Sequence, residues 1–471
     1  MTKTSFALRL ILAGLCGLAS LHLLAQNPQH LVFTGLRALT DQSQFNAVKT
    51  DATGNLYLLL DQKDGVRLLK TDPTTTNILA ETQLGSHGDI GLAMALDPTG
   101  NIYITGTTAS GTLVGTSGAI FPTAADASTN SFIAKFDSNL NSIFLTYAGS
   151  GRTAATSIAA TADAVFITGS TFTTTLPVTP SAIIQTPLSG SFQNGFVEKF
   201  NATGTTLLYA TYLSAFNGDT APSAIAADTQ DNAYITGYTT SSGYPTLNAL
   251  IPEILSTTSG FLTRLAPAGD SILFSTFIPG TGPTSLALDP ATQNLLLSGP
   301  IDLGQFPITN VQTPLVNTTY QTLIRLPLDG STVLSSTLLA PGTQSFVTPA
   351  PNGAAWITGP LTFPLLPTPT LSTIGNTYAL RVNAQNTIDQ TARFGALPTN
   401  NAAFSTAPVN PTSLTTDSTG QLILAGSVTP TTSSSLIPTQ TYNLTLSPPT
   451  PALPSTLRNA ILNQGICNGS L

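Results

Sequence analysis

Charged side chains are scarce in this sequence. They make up 8% of its 471 residues, against about 25% in an ordinary soluble domain, so Thr, Ser, Asn and Gln must wet most of the surface. With 15 Lys and Arg against 22 Asp and Glu, the formal charge is -7. That leaves no basic footprint for nucleic acid and no Lys/Arg run to grip an anionic membrane surface. Histidine is nearly absent. His22 falls in the leader described below, and the other two, His30 and His87, sit in no motif suited to acid–base or triad catalysis. Two cysteines, Cys16 and Cys467, and so few histidines exclude an ordinary zinc site. Beyond the leader no stretch approaches ~18 consecutive apolar residues, and none carries a 3.6-residue apolar period. No membrane span, helical domain, metal or cofactor is expected.

The leader reads as an export signal over residues 1–25. Lys3 and Arg9 precede the apolar run Leu10 to Leu24, and Leu23-Leu24-Ala25 offers a cleavage site before Gln26. Leu15 stands before Cys16 where lipidation would want a small residue. The expected product is a soluble exported monomer, secreted or at the cell surface, with the periplasm as the other destination. Cys467 is then the one cysteine left. In an oxidising compartment it is an inert tail thiol, an intermolecular link, or half of a pair completed beyond Leu471.

What the chain has in abundance is a repeat. Asp97-Pro-Thr-Gly-Asn-Ile-Tyr-Ile-Thr-Gly106 returns as Asp228-Thr-Gln-Asp-Asn-Ala-Tyr-Ile-Thr-Gly237, with weaker copies at 51–60, 163–169, 289–299, 351–359 and 417–426. Fixed-period self-similarity of this length means stacked or radially arranged units. Each unit holds four short β-branched or aromatic runs separated by Gly, Asn, Asp and Pro, which is the strand signal. The first ends in Asp (Ala93 to Asp97), and the second is the Ile-Tyr-Ile-Thr-Gly type. A long polar loop leads to the third (Phe132 to Phe136, Phe196 to Phe200), and the fourth carries a recurring Thr: Thr82, Thr146, Thr211, Thr276, Thr337, Thr391. Four strands per unit in series is the blade pattern of an all-β propeller.

Closure follows from the two ends. The last unit runs into Ser447-Pro-Pro-Thr-Pro451 and lacks a fourth strand, since Pro cannot join a ladder. Leu31-Val-Phe-Thr34 has no preceding unit but matches the fourth-strand pattern. The expected domain therefore spans 26–446 as a seven-bladed propeller. Its antiparallel blades lie near 45–85, 92–149, 155–214, 222–279, 283–340, 345–396 and 411–446 plus 30–36, with a Pro-rich tail or linker over 447–471.

The units resemble the bacterial β-propeller repeat known as the SBBP repeat. The resemblance rests on Asp97-x-x-Gly-Asn-x-Tyr-x-Thr-Gly106 and its copies, on Phe121-Pro-Thr123 and Tyr244-Pro-Thr246, and on Phe196-Val-x-Lys-Phe200. It implies a propeller found in exported proteins and carries over no catalytic motif. Unit one departs by lacking the long loop, and unit six by replacing its turn with Pro351-Asn-Gly353.

Three series of residues are candidates for function. The loop between the second and third strands repeats an apolar residue before Pro: Phe121, Leu176, Tyr244, Phe306, Leu366 and Ile437. These emerge on one face, where they either contact ligand or pack over the blade edge. A basic residue recurs in the third strand: Lys70, Lys135, Lys199, Arg264, Arg325 and Arg381, with Thr445 in the seventh unit. It is either a cation ring for an anionic ligand or an Asp-paired structural position. The turn acids Asp51, Asp97, Asp228, Asp289 and Asp417 lack the dense spacing of a calcium loop and read as turn formers. The expected function is an exported non-catalytic binding or scaffold module presenting its loop face to a glycan, an envelope component or a protein. The alternative is a secreted lyase or hydrolase acting at the central channel, which would need clustered carboxylates.

Overall fold

The structure is a computed structural model. It describes residues 31–34, 44–73, 77–109, 111–188, 190–254, 256–302, 306–311, 319–342, 344–360, 377–394, 409–428 and 441–446. The leader, His30, Leu366, Ile437 and the tail with Cys467 lie outside these residues. Among the described residues every regular element is a strand, apart from one 3-10 turn at Pro351–Gly353.

The protein is a β-propeller of four-stranded antiparallel blades. Six blades are built from consecutive strands. The first comprises Gln44–Thr50, Leu56–Gln62, Gly65–Thr71 and Ile78–Leu84, and the second Asp89–Leu96, Ile102–Thr108, Asn130–Phe136 and Ser142–Ala148. The third holds Thr153–Ala160, Ala164–Thr171, Asn194–Asn201 and Leu207–Leu213, and the fourth Thr220–Ala227, Ala233–Thr239, Ser259–Leu265 and Ile272–Pro279. The fifth holds Ser285–Asp289, Asn294–Asp302, Thr319–Pro327 and Ser335–Pro341, with a short parallel strand, Asn310–Val311, on its outer edge. The sixth holds Phe346–Ala350, Ala354–Pro360, Thr377–Val382 and Ile388–Phe394. A further sheet draws on both ends of the chain: Val409–Thr416, Leu422–Val428, Thr441–Leu446 and Leu31–Thr34. Up-and-down order within a blade puts the 1–2 and 3–4 turns on one face. The 2–3 loops and the links between blades lie on the other, the loop face.

The repeated Asp makes the 1–2 turn. Asp97 Oδ1 accepts the backbone N–H groups of Thr99 (2.9 Å) and Asn101 (3.0 Å), while Oδ2 accepts the Asn101 amide at 2.8 Å. Asp51, Asp228 and Asp417 use Oδ1 in the same way, and Asp289 accepts from Ala291 and Thr292. Burial alone would raise the Asp97 pKa, but the bonds from Asn101 and Thr99 outweigh it and hold the carboxyl below its usual range. The left-handed residue in each turn is Gly54, Gly100 or Gly420, and in the fourth blade Asp231 at φ 63°. Carboxylate oxygens engaged this way are turn atoms.

Blades share no backbone ladder with their neighbours, so side chains must hold them together. The first means is a basic staple. Lys135 Nζ lies 4.7 Å over the Tyr103 ring and 3.8 Å from Asp97, and donates at 3.0 Å to the Ala202 carbonyl in the next blade's 3–4 turn. Lys70 reaches Ser138 (2.9 Å), Lys199 reaches Pro267 (3.0 Å) and Arg264 reaches Leu328 (3.2 Å), each across to the following blade. Arg325 donates to the carbonyls of Gly353, Val382 and Asn383. Arg381 turns instead to Asp389 of its own blade, and Trp356 bridges onward, its indole N–H meeting Gly420 O at 3.1 Å. The cation series is therefore not a free ring for an anion: the amino groups of Lys70, Lys135 and Lys199 and the guanidinium groups of the three arginines are engaged by carbonyls, carboxylates and ring faces.

The second means is a bulge donor. The first strands of most blades carry a one-residue bulge, and except in the second blade, where it is Leu92, the extra residue points a donor at the next blade. Asn46 bonds Gly91 O (2.6 Å), Thr156 bonds Pro222 O (3.3 Å) and Ser223 bonds Pro283 O (2.7 Å), while Thr284, at the matching place, bonds Ser345 O (2.6 Å). The apolar core fills the space between successive blades, as where Tyr57 and Leu59 of the first meet Met94 and Ile104 of the second.

Lys135→Met should destabilise the protein by about 2–3 kcal/mol in urea unfolding, because it strands a buried carboxylate. The Lys135→Met, Asp97→Asn pair should regain part of that loss. A change below ~0.5 kcal/mol for the single variant would refute the staple.

Candidate functional site

The 2–3 loops do not stand up from the loop face as free fingers. In the second, third and fourth blades each folds down over its own outer strand, and the recurring fourth-strand Thr clamps it there. Thr211 Oγ1 accepts the Ile184 N–H (3.1 Å) and donates to its carbonyl (3.4 Å), while the Tyr212 N–H meets the same carbonyl at 3.1 Å. Thr146 treats Phe121 in this way, and Thr276 treats Ile251. In the fifth blade Asn310–Val311 covers the edge as a strand, with Asn310 opposite Thr337. An uncovered outer edge invites association with other strands, and the loops remove that exposure.

This places the apolar-Pro series. Leu176, Tyr244 and Phe306 are buried in the core, and the Tyr244 hydroxyl bonds Thr263 at 2.8 Å. They pack over the blade edge and offer little accessible surface. Phe121 is half-buried and stands elsewhere in the register. The second-blade residue that matches Leu176 is Leu113, buried and receiving the Tyr147 hydroxyl on its carbonyl at 2.7 Å. Phe121 corresponds to Ile184 and Ile251. Leu113 was missed in the sequence because Val114, not Pro, follows it.

The accessible side chains of the loop face are different ones. Phe216 is 62% exposed, Phe172 48%, Phe192 38% and Tyr238 36%, all in the sector of the third and fourth blades. Phe216 and Asn217 form the tip of a tight turn closed by Ala215 and Gly218, with Asn217 at φ 57°. Polar groups tie the cluster together. Ser241 donates to Phe216 O, Ser214 donates to Asn194 Oδ1 (2.5 Å), and the Asn194 amide donates to Phe192 O (3.0 Å). The exposed Arg152 lies 5.6 Å over the Phe172 ring. Phe172, Phe192 and Phe216 sit among Ser, Thr, Asn and Gln outside the strands, a sequence signal that sets them apart from core Phe, while Tyr238 is the exposed position of the strand Ala233–Thr239.

His87 is exposed in the link between the first two blades. Among the described residues, the first strands carry mostly Ala, Ser, Thr and aliphatic residues, and Lys49 is the one charged side chain inside such a strand rather than at its end. Burial pulls the Lys49 pKa down.

Two acids have environments unlike the turn carboxylates. Glu198 replaces the Leu69, Ala134, Thr263, Ile324 and Leu380 of the other third strands. It is fully buried, both oxygens 3.1 Å from the Gly149 N–H, and burial, only partly opposed by that bond, pushes its pKa up to about 7. Asp61, bonded by Gly91 N–H (2.8 Å) and Asn46, is pushed up to about 6 by burial.

For Glu198 the folded state holds the proton more tightly than the unfolded chain does. Its contribution is therefore most favourable below about 4.5, declines as pH rises toward 7, and is flat above. Glu198→Gln keeps the Gly149 acceptor and should gain on the order of 2 kcal/mol at pH 8 while flattening the pH 5–7 slope, leaving the smaller Asp61 share. Unfolding curves at pH 5 and pH 8 check this, and an unchanged slope would overturn it.

Comparison with known proteins agrees with this geometry at the level of the repeat. The family model for the SBBP beta-propeller repeat matches residues 208–245. That span runs from the fourth strand of the third blade to Tyr244. No curated protein matches the chain. A crystal structure of catalytically inactive virginiamycin B lyase from Staphylococcus aureus with quinupristin is similar over 88% of this chain and 99% of that one, at 10% identity and a TM-score of 0.48. The chain thus carries, at residues 208–245, a β-propeller repeat of the SBBP family.

Proposed function

We propose that this chain is an exported, non-catalytic binding module. Its architecture is a closed seven-bladed ring, and its loop face takes a neutral glycan of the cell envelope or its surroundings. The closure reading is supported at two radii. On the outer edge, Leu31 stands opposite Leu446, Val32 opposite Thr445, Phe33 opposite Leu444 and Thr34 opposite Asn443. On the inner strands, Thr412 Oγ1 donates to Phe45 O (2.7 Å), Thr50 Oγ1 to Thr416 O (2.7 Å) and Val48 N–H to Ser413 Oγ (3.2 Å). Joining the two ends of a chain in one sheet removes two edges.

The observation that carries the ligand class is the exposed aromatic cluster of Phe172, Phe192, Phe216 and Tyr238, framed by amides and hydroxyls. A protein with so little charge keeps four large rings in water around the third and fourth blades, and exposed apolar surface on a loop face supports a contact site. The C–H face of a sugar ring stacks on an aromatic face, while its hydroxyls bond with Asn, Gln, Ser and Thr. Rigid aromatic side chains lose little entropy on binding. The scarcity of cations there favours a neutral polymer over an acidic one. The leader, with the pattern of an export signal, supports a site of action outside the cytoplasm.

The enzyme reading has one observation on its side: Glu198, a carboxyl pushed up to about 7, a property common at catalytic sites. Its complete enclosure, with both oxygens on the Gly149 N–H, suits a structural role better.

Two outcomes follow. A chain beginning at residue 35, compared with one beginning at residue 26, should exchange the Thr441–Leu446 amides at least ~100-fold faster, and equal protection would break the closed ring. Neutral polysaccharides on a glycan array should bind the intact protein. Phe216→Ala and Phe172→Ala should each weaken binding roughly tenfold without lowering the melting temperature. Silence across the array, or undiminished binding by both variants, would reject the glycan face.

A further inference from the structure

The first blade lacks the cover that the second to fifth blades have. Its second and third strands are joined by a tight turn, Gln62 opposite Gly65, so its own 2–3 connection is too short to reach its outer strand. The contrast is visible residue by residue. In the second blade Phe144 to Ala148 are all buried, whereas Ile78–Leu84 alternates between exposed and half-buried, with Ile78 at 47% and Leu79 at 53%. Glu81 and Gln83 are exposed where their equivalents, Leu145 and Tyr147, are covered. Thr82 holds the position of Thr146, Thr211 and Thr276, yet among the described residues its hydroxyl meets no hydrogen-bond partner.

We infer that this edge is a docking site for an extended segment of a partner protein, which adds as a fifth strand with an aliphatic residue seated at Thr82. The chain itself supplies the template. In three blades a Thr at this place takes the N–H and returns a bond to the C=O of an apolar residue, Phe121, Ile184 or Ile251, and the N–H of the next residue takes that carbonyl too. In the fifth blade the added segment is a parallel strand. The same donors and acceptor on the first blade, Thr82 Oγ1 and the Gln83 N–H, face solvent. Strand addition of this kind draws affinity from the main chain and specificity from alternate side chains. A second copy of this chain is the poorer occupant. Antiparallel self-pairing centred on the strand sets Glu81 against Glu81, and like charges directly opposed are unfavourable. The site is independent of the aromatic cluster, which lies two blades away.

The probe is a synthetic peptide copying this chain's own covering segment, Tyr244 to Glu253, and its Ile251→Asp version. Fluorescence anisotropy with the full chain should give a Kd between about 10 µM and 1 mM for the first, an untethered contact being weaker than a tethered one, and none for the second. Hydrogen exchange should show protection gained at Ile78–Leu84. Gln83→Pro removes one outward N–H from an edge strand, a place where Pro is tolerated, and should weaken binding at least ~10-fold. Thr82→Val, nearly isosteric, should weaken it ~5-fold and keeps the test open if the proline variant does not fold. No binding, binding indifferent to both variants, edge amides already protected in the free chain, or a dimer abolished by Gln83→Pro would each overturn the proposal.

Discussion

The blades of this protein share no strand ladder with one another and meet through side chains and a few main-chain bonds at their links, such as Thr153 N–H to Thr129 O and Thr220 N–H to Gln193 O, and that constraint shapes nearly everything else. A strand ladder stabilises each blade internally but stops at its faces. Cohesion across those faces depends on apolar packing and on a few directional contacts that fix the angle between blades. The staple built on Lys135 combines three of them. A ring face and a carboxylate within one blade hold the ammonium group, and its remaining donor reaches a carbonyl in the next. A charge set this deep would be costly without partners, so the Asp turn, the second-strand Tyr and the third-strand cation have to occur together. Where the pattern lapses, another group takes over. Phe166 replaces Tyr under Lys199, which pairs with Asp231 of the following blade, and beyond Arg381 the indole of Trp356 makes the crossing.

The outer edge poses the second constraint. A strand with open N–H and C=O groups is a template for association, and in the second, third and fourth blades this chain answers with its own loops and one threonine each. The cover consumes the apolar residues of those loops, which explains why Leu176, Tyr244 and Phe306 are core residues. It also shifts any ligand contact to what the loops leave over, the links and loop ends that display Phe172, Phe192, Phe216 and Tyr238. The bare first blade and the covered ones are two uses of the same chemistry.

The buried acids belong to neither pattern. Glu198 occupies a position that takes apolar or small residues elsewhere, and its one donor, the Gly149 N–H, comes from the link between the second and third blades. It joins that link to the third strand through a carboxyl whose pKa burial pushes up to about 7, and Asp61, pushed up to about 6 where it meets the Gly91 N–H, couples the first two blades to pH in the same sense.

The sequence by itself determined the unit: four strands, an Asp turn with a left-handed residue, a basic position in the third strand and a Thr in the fourth. These are local. Turn chemistry and strand alternation act over a few residues, and repetition multiplies the signal. Tertiary structure alone decided what each repeated residue meets, because the partner lies one blade away and outside any local pattern. Period places Lys70 and Arg325 alike, but only the packed neighbour engages their donors. An apolar residue before Pro marked the loop, yet only the clamp at Thr146 revealed that Phe121 stands with Ile184 and that Leu113 fills the pocket. Phe172 among threonines and Phe196 in Phe-Val-x-Lys-Phe differ in company along the chain, but burial, a property of the assembled blades, is what puts one ring in water and the other in the core.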